Sequence, residues 1–531
     1  MRIALVICPH DSDALLRDRG ESLALGYLGA TLRAAGHEVR LLNASLKRHD
    51  VSRLIADVLA GMFDLVGISV PESSRALPSL GFAARLREAG FAGLVCAGGP
   101  SATFEADALL AADSAIDVIV LHEGEQTICE LAGAVEAGHD WRQVAGLAFR
   151  RDGLVRRSMA RPQLQNLDRL PFPIRDDLPW VVRELGDAAT IPILTSRGCH
   201  YNCAFCSVRA FNDADRAHAW RRRSVDNVLD EIGALLSIHD AHDLLVVDDL
   251  FVSGARPSRE YAAAFSRGIL GRGYRLTFTA SASVDALDAE LLSLLKRAGL
   301  RHVLVGAEAA NATLLRSLNR WFTPVQIATA LRTLDEVDLD ATISYINFTP
   351  MTTIADLREN LAFFGELGIN LMEGLLNRYQ VHKGTPLYDR LERDGRLRGA
   401  FPRYGYASID PRVDLTYTIA RQALGCLSDL DAEVKRIERP VGRRSGFVAR
   451  TPSSGVRRDR LHRLRRLVNE DVASLFGTVL DFAESHGTSS PEAVRAIVDE
   501  IGTTAQDVAG AWLALLRQFE VAPIDSELLG A

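Results

Sequence analysis

The chain has 531 residues, too many for one compact core, and at roughly 100–200 residues per domain it should hold about three domains. Its 47% hydrophobic and 24% charged residues exclude a disordered or fibrous protein. A net charge of −7, from 61 basic against 68 acidic residues, leaves no electrostatic footprint for a nucleic-acid binder, so small molecules are the expected partners.

From residue 1 to about 140, short β-rich runs alternate with amphipathic helices. Strands are predicted at Ile3–Cys8, Glu38–Asn43, Asp64–Val70, Gly93–Gly98 and Asp117–His122. Helices are predicted at about 22–35, 50–61, 77–89, 104–112 and 125–137. This alternation implies a doubly wound parallel sheet, whose ligands sit at the strand carboxyl ends. Those ends carry Cys8–Asp13, Ser69–Ser74, Gly98–Ala102 and His122–Glu125. A hairpin, Val144–Ser158, turns at Asp152-Gly153 and is followed by a proline-rich linker, Arg161–Trp180.

A second β/α series then begins. Its predicted strands are Pro192–Arg197, Leu244–Asp249, Arg275–Ser281, His302–Ala307, Ala341–Phe348 and Asn370–Tyr379, with helices between them. That pattern fits a partial barrel with its site at the strand carboxyl ends. From about residue 400 strand signals vanish, and helices are predicted at about 414–436, 456–486, 490–501 and 504–520, broken by a basic segment, Gly442–Arg460. The fold class is therefore α/β: an amino-terminal Rossmann-like sheet (1–140), a hairpin and linker (141–185), a central partial (β/α)6 barrel (186–400) and a helical carboxyl-terminal region (401–531).

Seven cysteines, three of them within eight residues, argue against a disulfide scaffold and for a reducing compartment with one metal cluster. The apolar start Met1–Cys8 is too short for a signal peptide, and no apolar run approaches the roughly 20 residues of a membrane span, so a cytoplasmic protein without membrane partners is expected. The cluster is Thr195-Ser-Arg-Gly-Cys199-His-Tyr-Asn-Cys203-Ala-Phe-Cys206, directly after the first strand of the second series. Thiolates of Cys199, Cys203 and Cys206 on one tight loop can hold three irons of a [4Fe–4S] cube and leave the fourth iron open. The alternatives are a zinc site completed by His200 or His218, and unconnected buried cysteines.

At these residues the chain resembles the radical S-adenosylmethionine superfamily. The resemblance implies that the open iron binds S-adenosylmethionine, which the reduced cluster cleaves to a 5′-deoxyadenosyl radical, and that an external donor such as flavodoxin or ferredoxin supplies the electron. Phe205 matches the family position near the adenine. Val246–Phe251 resembles the second-strand element, making Asp248 or Asp249 a partner of the methionyl ammonium. Either aspartate also reads as a cap or turn residue. Ser283, standing where the family usually has arginine, and Glu308 are further candidates for contacting S-adenosylmethionine. Tyr345, Asn347 and His382 are candidates for substrate, with Lys383 beside them.

Asp64–Leu131 resembles the cobalamin-binding-type domain that precedes the barrel in one radical subfamily. On that resemblance Ser69, Gly98, Gly99, Pro100, Glu123 and Gly124 are the cobalamin-binding candidates, the glycines allowing close approach of a flat macrocycle. A plain structural turn is the other reading of the glycine pair. The Asp-x-His-x-x-Gly motif that supplies an axial histidine in some cobalamin proteins is absent, and His10 lacks its spacing, so cobalamin would bind without a histidine from that motif. The implied function is cobalamin-dependent methylation of an unactivated carbon in a small molecule of specialised metabolism. Radical rearrangement, cyclisation, dehydration or epimerisation beside a corrin-free domain is the alternative, and a non-catalytic iron–sulfur or corrin-binding protein a remote one.

Overall fold

The computed structural model describes residues 1–10, 20–111, 113–186, 189–212, 220–239, 242–368, 371–430, 433, 455–486 and 490–518. Asp11–Asp13, His218 and the basic segment up to Ser454 lie outside the described residues, as do the side chains of 455–465. The chain forms two compact units: Met1–Leu304 with Glu336–Asp340 and Val381–Gly405, and Val305–Asp335 with Ala341–Gln380 and Tyr406–Ala531.

The first unit begins with a seven-stranded sheet. Its parallel strands are β1 (Arg2–Ile7), β2 (Glu38–Asn43), β3 (Leu65–Ser69), β4 (Leu94–Gly98) and β5 (Val118–Val120). The predicted hairpin forms β6 (Leu147–Arg151) and β7 (Leu154–Arg157), which extend the same sheet antiparallel beyond β5. The order is β2-β1-β3-β4-β5-β6-β7. Alternate strand residues feed two cores, as a sheet buried on both faces requires. Ile3, Leu5, Cys96 and Val118 pack with the helices Leu23–Ala34 and Glu125–Glu136, whereas Ala4, Val6, Ile68 and Val95 pack with Val51–Gly61 and Ala76–Glu88. Helices change faces where β1 lies between β2 and β3, so a crevice opens at the carboxyl ends of the strands.

The barrel series starts in the same unit. The single strand predicted at Pro192–Arg197 is broken into β8 (Ile191–Ile193) and β9 (Ser196–Gly198). The cause is Asp248, whose carboxylate accepts bonds from the Thr195 amide at 2.6 Å, the Thr195 hydroxyl at 2.5 Å and the Ser196 hydroxyl at 2.6 Å. Strand β9 instead pairs antiparallel with β10 (Trp220–Arg222). The sheet proper runs β8-β11-β12-β13, with β11 at Asp243–Val246, β12 at Thr277–Ser283 and β13 at Leu300–Glu308. Strand β13 carries the chain from the first unit into the second, and β14 (Asp340–Tyr345) follows it in the sheet order.

Further predicted features differ. The sixth barrel strand, expected at Asn370–Tyr379, is a short helix, Leu371–Leu375, followed by one parallel bridge between Phe348 and Arg378. Its Leu-Met-Glu-Gly-Leu sequence favours helix, and Gly374 is needed there because a Cβ would lie 2.0 Å from the Tyr345 ring. A hairpin, β15 (Leu397–Ala400) and β16 (Arg403–Tyr406), stands where no strand was expected; its Arg- and Gly-rich sequence lacks apolar alternation. Helices Pro411–Ala423, Gly455–Ser485 and Pro491–Gln518 form the carboxyl-terminal part. The last of these spans both predicted stretches without a break, with Gly502 seated on Ala423. Among the described residues no helix is long and apolar enough to cross a membrane.

Phe251, Phe265 and Phe278 meet edge to face at 5.5–6.4 Å behind β11 and β12 and are fully buried. Phe265→Ala is expected to destabilise the protein by about 3–5 kcal/mol through the cavity it leaves, read from denaturant midpoints. A loss under about 1 kcal/mol would show that this cluster does not hold the helix Arg256–Gly271 to the sheet.

Candidate functional site

The three cysteines follow β9 on a loop closed by a turn in which the Cys206 amide donates to the Cys203 carbonyl at 3.2 Å. All three are free thiols and partly exposed. Burial pushes the Cys206 thiol up to about 12, and Cys203 and Cys199 add to the shift. Among the described residues no three Cys, His, Asp or Glu side chains close on a single metal-ion position. His200, one zinc alternative, is engaged elsewhere: its Nδ1 lies 3.1 Å from the Ser253 hydroxyl and its ring packs on Trp220 at 4.7 Å. Tyr201 holds the loop to the next strand ends, its hydroxyl donating to Asp285 at 2.7 Å and accepting from the Gly254 amide at 3.1 Å. This donor set, three accessible thiols on one short anchored loop, fits a cube with one iron left open.

The two aspartates after β11 differ in what they do. Asp248 is buried and spends both oxygens on Thr195 and Ser196; burial raises its carboxyl to about 6 despite these bonds. Asp249 accepts the Gly198 amide at 2.7 Å and lines a cavity of about 460 Å³. Ser283 is buried beside Tyr201 and hydrogen-bonds Asp285 at 2.5 Å, while Phe205 is half-buried. Glu308 ends β13 in a left-handed conformation, φ 65°, and is buried 3.8 Å from Arg320; burial raises its carboxyl.

That cavity gathers the sequence candidates of the sheet domain. Ser69, Gly98, Gly99, Pro100, Glu123 and Gly124 all line it, at the carboxyl ends of β3, β4 and β5. Gly99 holds φ 110°, and a Cβ there would lie 2.9 Å from the Val70 carbonyl oxygen, so a side chain would be strained at this turn. Leu5, Leu25, Leu28, Gly67 and Ile128 supply an apolar interior, and Arg197, Val208, Phe211 and Val247 close it from the cysteine-loop side. Glycine-lined strand ends opening on an apolar space fit a flat macrocycle.

Several residues of the site were not singled out in the sequence. Arg197 pairs with Glu123 at 3.2 Å and Glu125 at 2.5 Å, and its guanidinium lies 5.6 Å from the centre of the Tyr27 ring. Arg221 binds both oxygens of Glu123, at 2.7 and 2.9 Å. Burial alone would raise the Glu123 carboxyl, but the bonds from Arg221 and the charge of Arg197 outweigh it and hold the group below the usual range. Both arginines stand in motifs already visible, Thr195–Cys206 and Trp220–Ser224, and Glu123 was a candidate of the sheet domain; what the sequence did not signal is that they pair.

The substrate candidates are distributed. In the second unit Tyr345 stacks on Phe364 at 4.2 Å, and Asn347 is buried, donating to the Leu375 carbonyl and accepting from Asn360. In the first unit His382 is half-buried, and burial lowers its imidazole below the usual range. Lys383 lies 3.7 Å from the buried Glu105, which also accepts from the Tyr404 hydroxyl at 3.2 Å.

Comparison with known proteins gives two family matches: a B12 binding domain over residues 14–132 and the Radical SAM superfamily over residues 193–364. An uncharacterized methyltransferase of Pyrococcus horikoshii is 28% identical, across 80% of this chain and 90% of that protein. An anaerobic magnesium-protoporphyrin IX monomethyl ester cyclase of Synechocystis is 28% identical, but the match spans only 63% of its length. Among solved structures, the cobalamin-dependent S-adenosylmethionine radical enzyme OxsB, with aqua-cobalamin and S-adenosylmethionine bound, superposes with a TM-score of 0.78 at 16% identity, covering 99% of this chain and 82% of that one.

Because the Glu123 carboxyl is lowered in the fold, its ion pairs add stability above the ordinary glutamate range, near pH 4.3, and that stability is lost as pH falls through the lowered value. Glu123→Gln should therefore cost about 3 kcal/mol at pH 7. The gap to wild type should narrow in denaturant titrations below about pH 4. A gap independent of pH would assign the effect to shape rather than charge.

Proposed function

Because this chain belongs to the radical S-adenosylmethionine superfamily, in the branch with a B12 binding domain ahead of the barrel, we propose that it methylates an unactivated carbon of a small molecule. The observation that carries this reading is the cavity built jointly by the ends of β3–β5 and by the residues flanking the three cysteines. The cofactors of this branch are a [4Fe–4S] cluster, S-adenosylmethionine and cobalamin. When bound, they supply an electron, a hydrogen-abstracting 5′-deoxyadenosyl radical and a methyl group, respectively.

The protein's own residues bind, orient and exclude water. Cys199, Cys203 and Cys206 would hold the cluster. Phe205, Asp249 and Ser283 of the first unit are the candidates for S-adenosylmethionine, Glu308 is a candidate within the second unit, and Asp248 acts through Thr195 and Ser196 by shaping the approach to the cysteine loop. Ser69, Gly98, Gly99, Pro100 and Gly124 form the wall that would receive the corrin, with Glu123 holding that wall through Arg197 and Arg221. The apolar interior keeps water from a reactive radical. His382, whose imidazole burial holds below the usual range, is a better substrate contact than the packed Tyr345 and Asn347. A one-electron donor of the flavodoxin or ferredoxin class would feed the cluster.

A second reading is favoured by the similarity to the cyclase: ring closure or another radical rearrangement without methyl gain. Anaerobic reconstitution and assay of candidate substrates with mass detection separates the two. Methylation predicts a product heavier by one methyl, 5′-deoxyadenosine, and S-adenosylmethionine consumed both for the radical and for remethylation. An unchanged or dehydrogenated product mass would support the second reading, and failure to retain any corrin absorbance after removal of excess cobalamin would sink the first. Replacing Cys199, Cys203 or Cys206 by Ala should abolish 5′-deoxyadenosine formation under either reading; retained formation would refute the cluster assignment.

A further inference from the structure

Two residues link the start of the cysteine loop to the cavity wall. Arg197 stands two positions before Cys199, yet it lines the cavity, and its guanidinium is held by Glu123, after β5, and by Glu125, at the start of the following helix. Asp249 lines the same cavity, and its carboxylate takes the amide of Gly198, the residue immediately before Cys199. Gly198 sits at φ 85°, a conformation glycine adopts freely but at the greatest entropic cost of ordering, and it has no side chain to hold it there. The backbone that enters the first cysteine is thus linked to the cavity wall by two side chains.

We propose that Arg197 and Asp249 are positioning residues that couple the cavity to the metal centre. Ordering the wall around an occupant orders the Gly198–Cys199 backbone, so that corrin and cluster each bind more tightly in the presence of the other. The physical basis is shared ordering entropy: whichever group binds first fixes the segment, and the second no longer bears that cost. Thermodynamic reciprocity requires the two enhancements to be the same factor. Neither residue need touch a reacting atom for this effect. The inference rests on the reading of the cysteines as cluster ligands and of the cavity as the corrin site.

The test uses the full-length protein, with its cluster and after chelation of the iron, and measures cobalamin affinity by anaerobic equilibrium dialysis with corrin absorbance. The cluster-loaded protein should bind cobalamin about tenfold more tightly than the cluster-free protein. Saturating cobalamin should correspondingly slow the loss of iron to a chelator. Arg197→Lys keeps a positive charge for the two glutamates but cannot span both, and Asp249→Ala frees the Gly198 amide. Both variants should still load iron, with the affinity ratio falling toward one. A substitution that merely weakens the fold lowers both affinities and leaves their ratio intact. Equal affinities with and without the cluster in the wild type, or an undiminished ratio in both variants, would overturn the coupling while leaving the cofactor assignments standing. No cobalamin binding under either condition would overturn the corrin-site reading and the coupling with it.

Discussion

Arg197 and Arg221 flank the cysteine loop, one on β9 and one on β10, and both close on the single carboxylate of Glu123 at the end of β5. A largely covered glutamate between two guanidiniums is stable only with the whole set present, since removing one partner strands a charge in poorly solvated surroundings. The arrangement therefore specifies a geometry more than it adds net stability. It brings the strand ends of the amino-terminal sheet to the strands that carry the cysteines, and the cavity wall follows from that placement.

Around this cluster a second set of charges does similar work. Arg223 pairs with Glu231 at 2.5 Å and contacts the Tyr27 hydroxyl, while Arg175 from the linker reaches both Glu21 and, at 2.6 Å, Glu231. The proline-rich linker is thereby tied to the helix Val225–His239 and to the start of the helix Leu23–Ala34. The buried cations in these pairs, Arg221 and Arg223, are arginines, whose planar, multi-donor head suits pairing with carboxylates.

Much of the fold was legible from periodicity. Strands β1 to β5 and most of their helices were placed within a few residues because a sheet buried on both faces leaves continuous apolar runs, though the helix expected at 104–112 is two short ones, Pro100–Phe104 and Ala106–Leu109; the hairpin was marked by Asp152-Gly153. The failures have specific causes. The strand entering the cysteine loop is interrupted by Asp248, more than fifty residues away in sequence, and nothing local in Ile191–Arg197 foretells it. At Leu371–Leu375 local helix propensity prevails over the barrel rhythm that suggested a sixth strand. The hairpin at Leu397–Tyr406 has two four-residue strands interrupted by Gly399 and Gly405, and of its residues only Tyr406 is buried, so it carries no apolar run long enough to detect.

For the site, the sequence by itself determined the chemistry: three thiols at fixed spacing on one loop, glycines at two strand ends, and the acidic and arginine residues of the flanking motifs. Spacing along a short loop is a local property, and the covalent chain enforces it. Only the tertiary structure decided which carboxylate meets which cation, that Asp248 is spent on Thr195 and Ser196 while Asp249 faces the cavity, and that Arg197 belongs to the cavity wall as well as to the cysteine motif. Those choices join residues of distant sequence through burial. Inside the protein an unpaired charge is so costly that packing, and not the local sequence, dictates its partner.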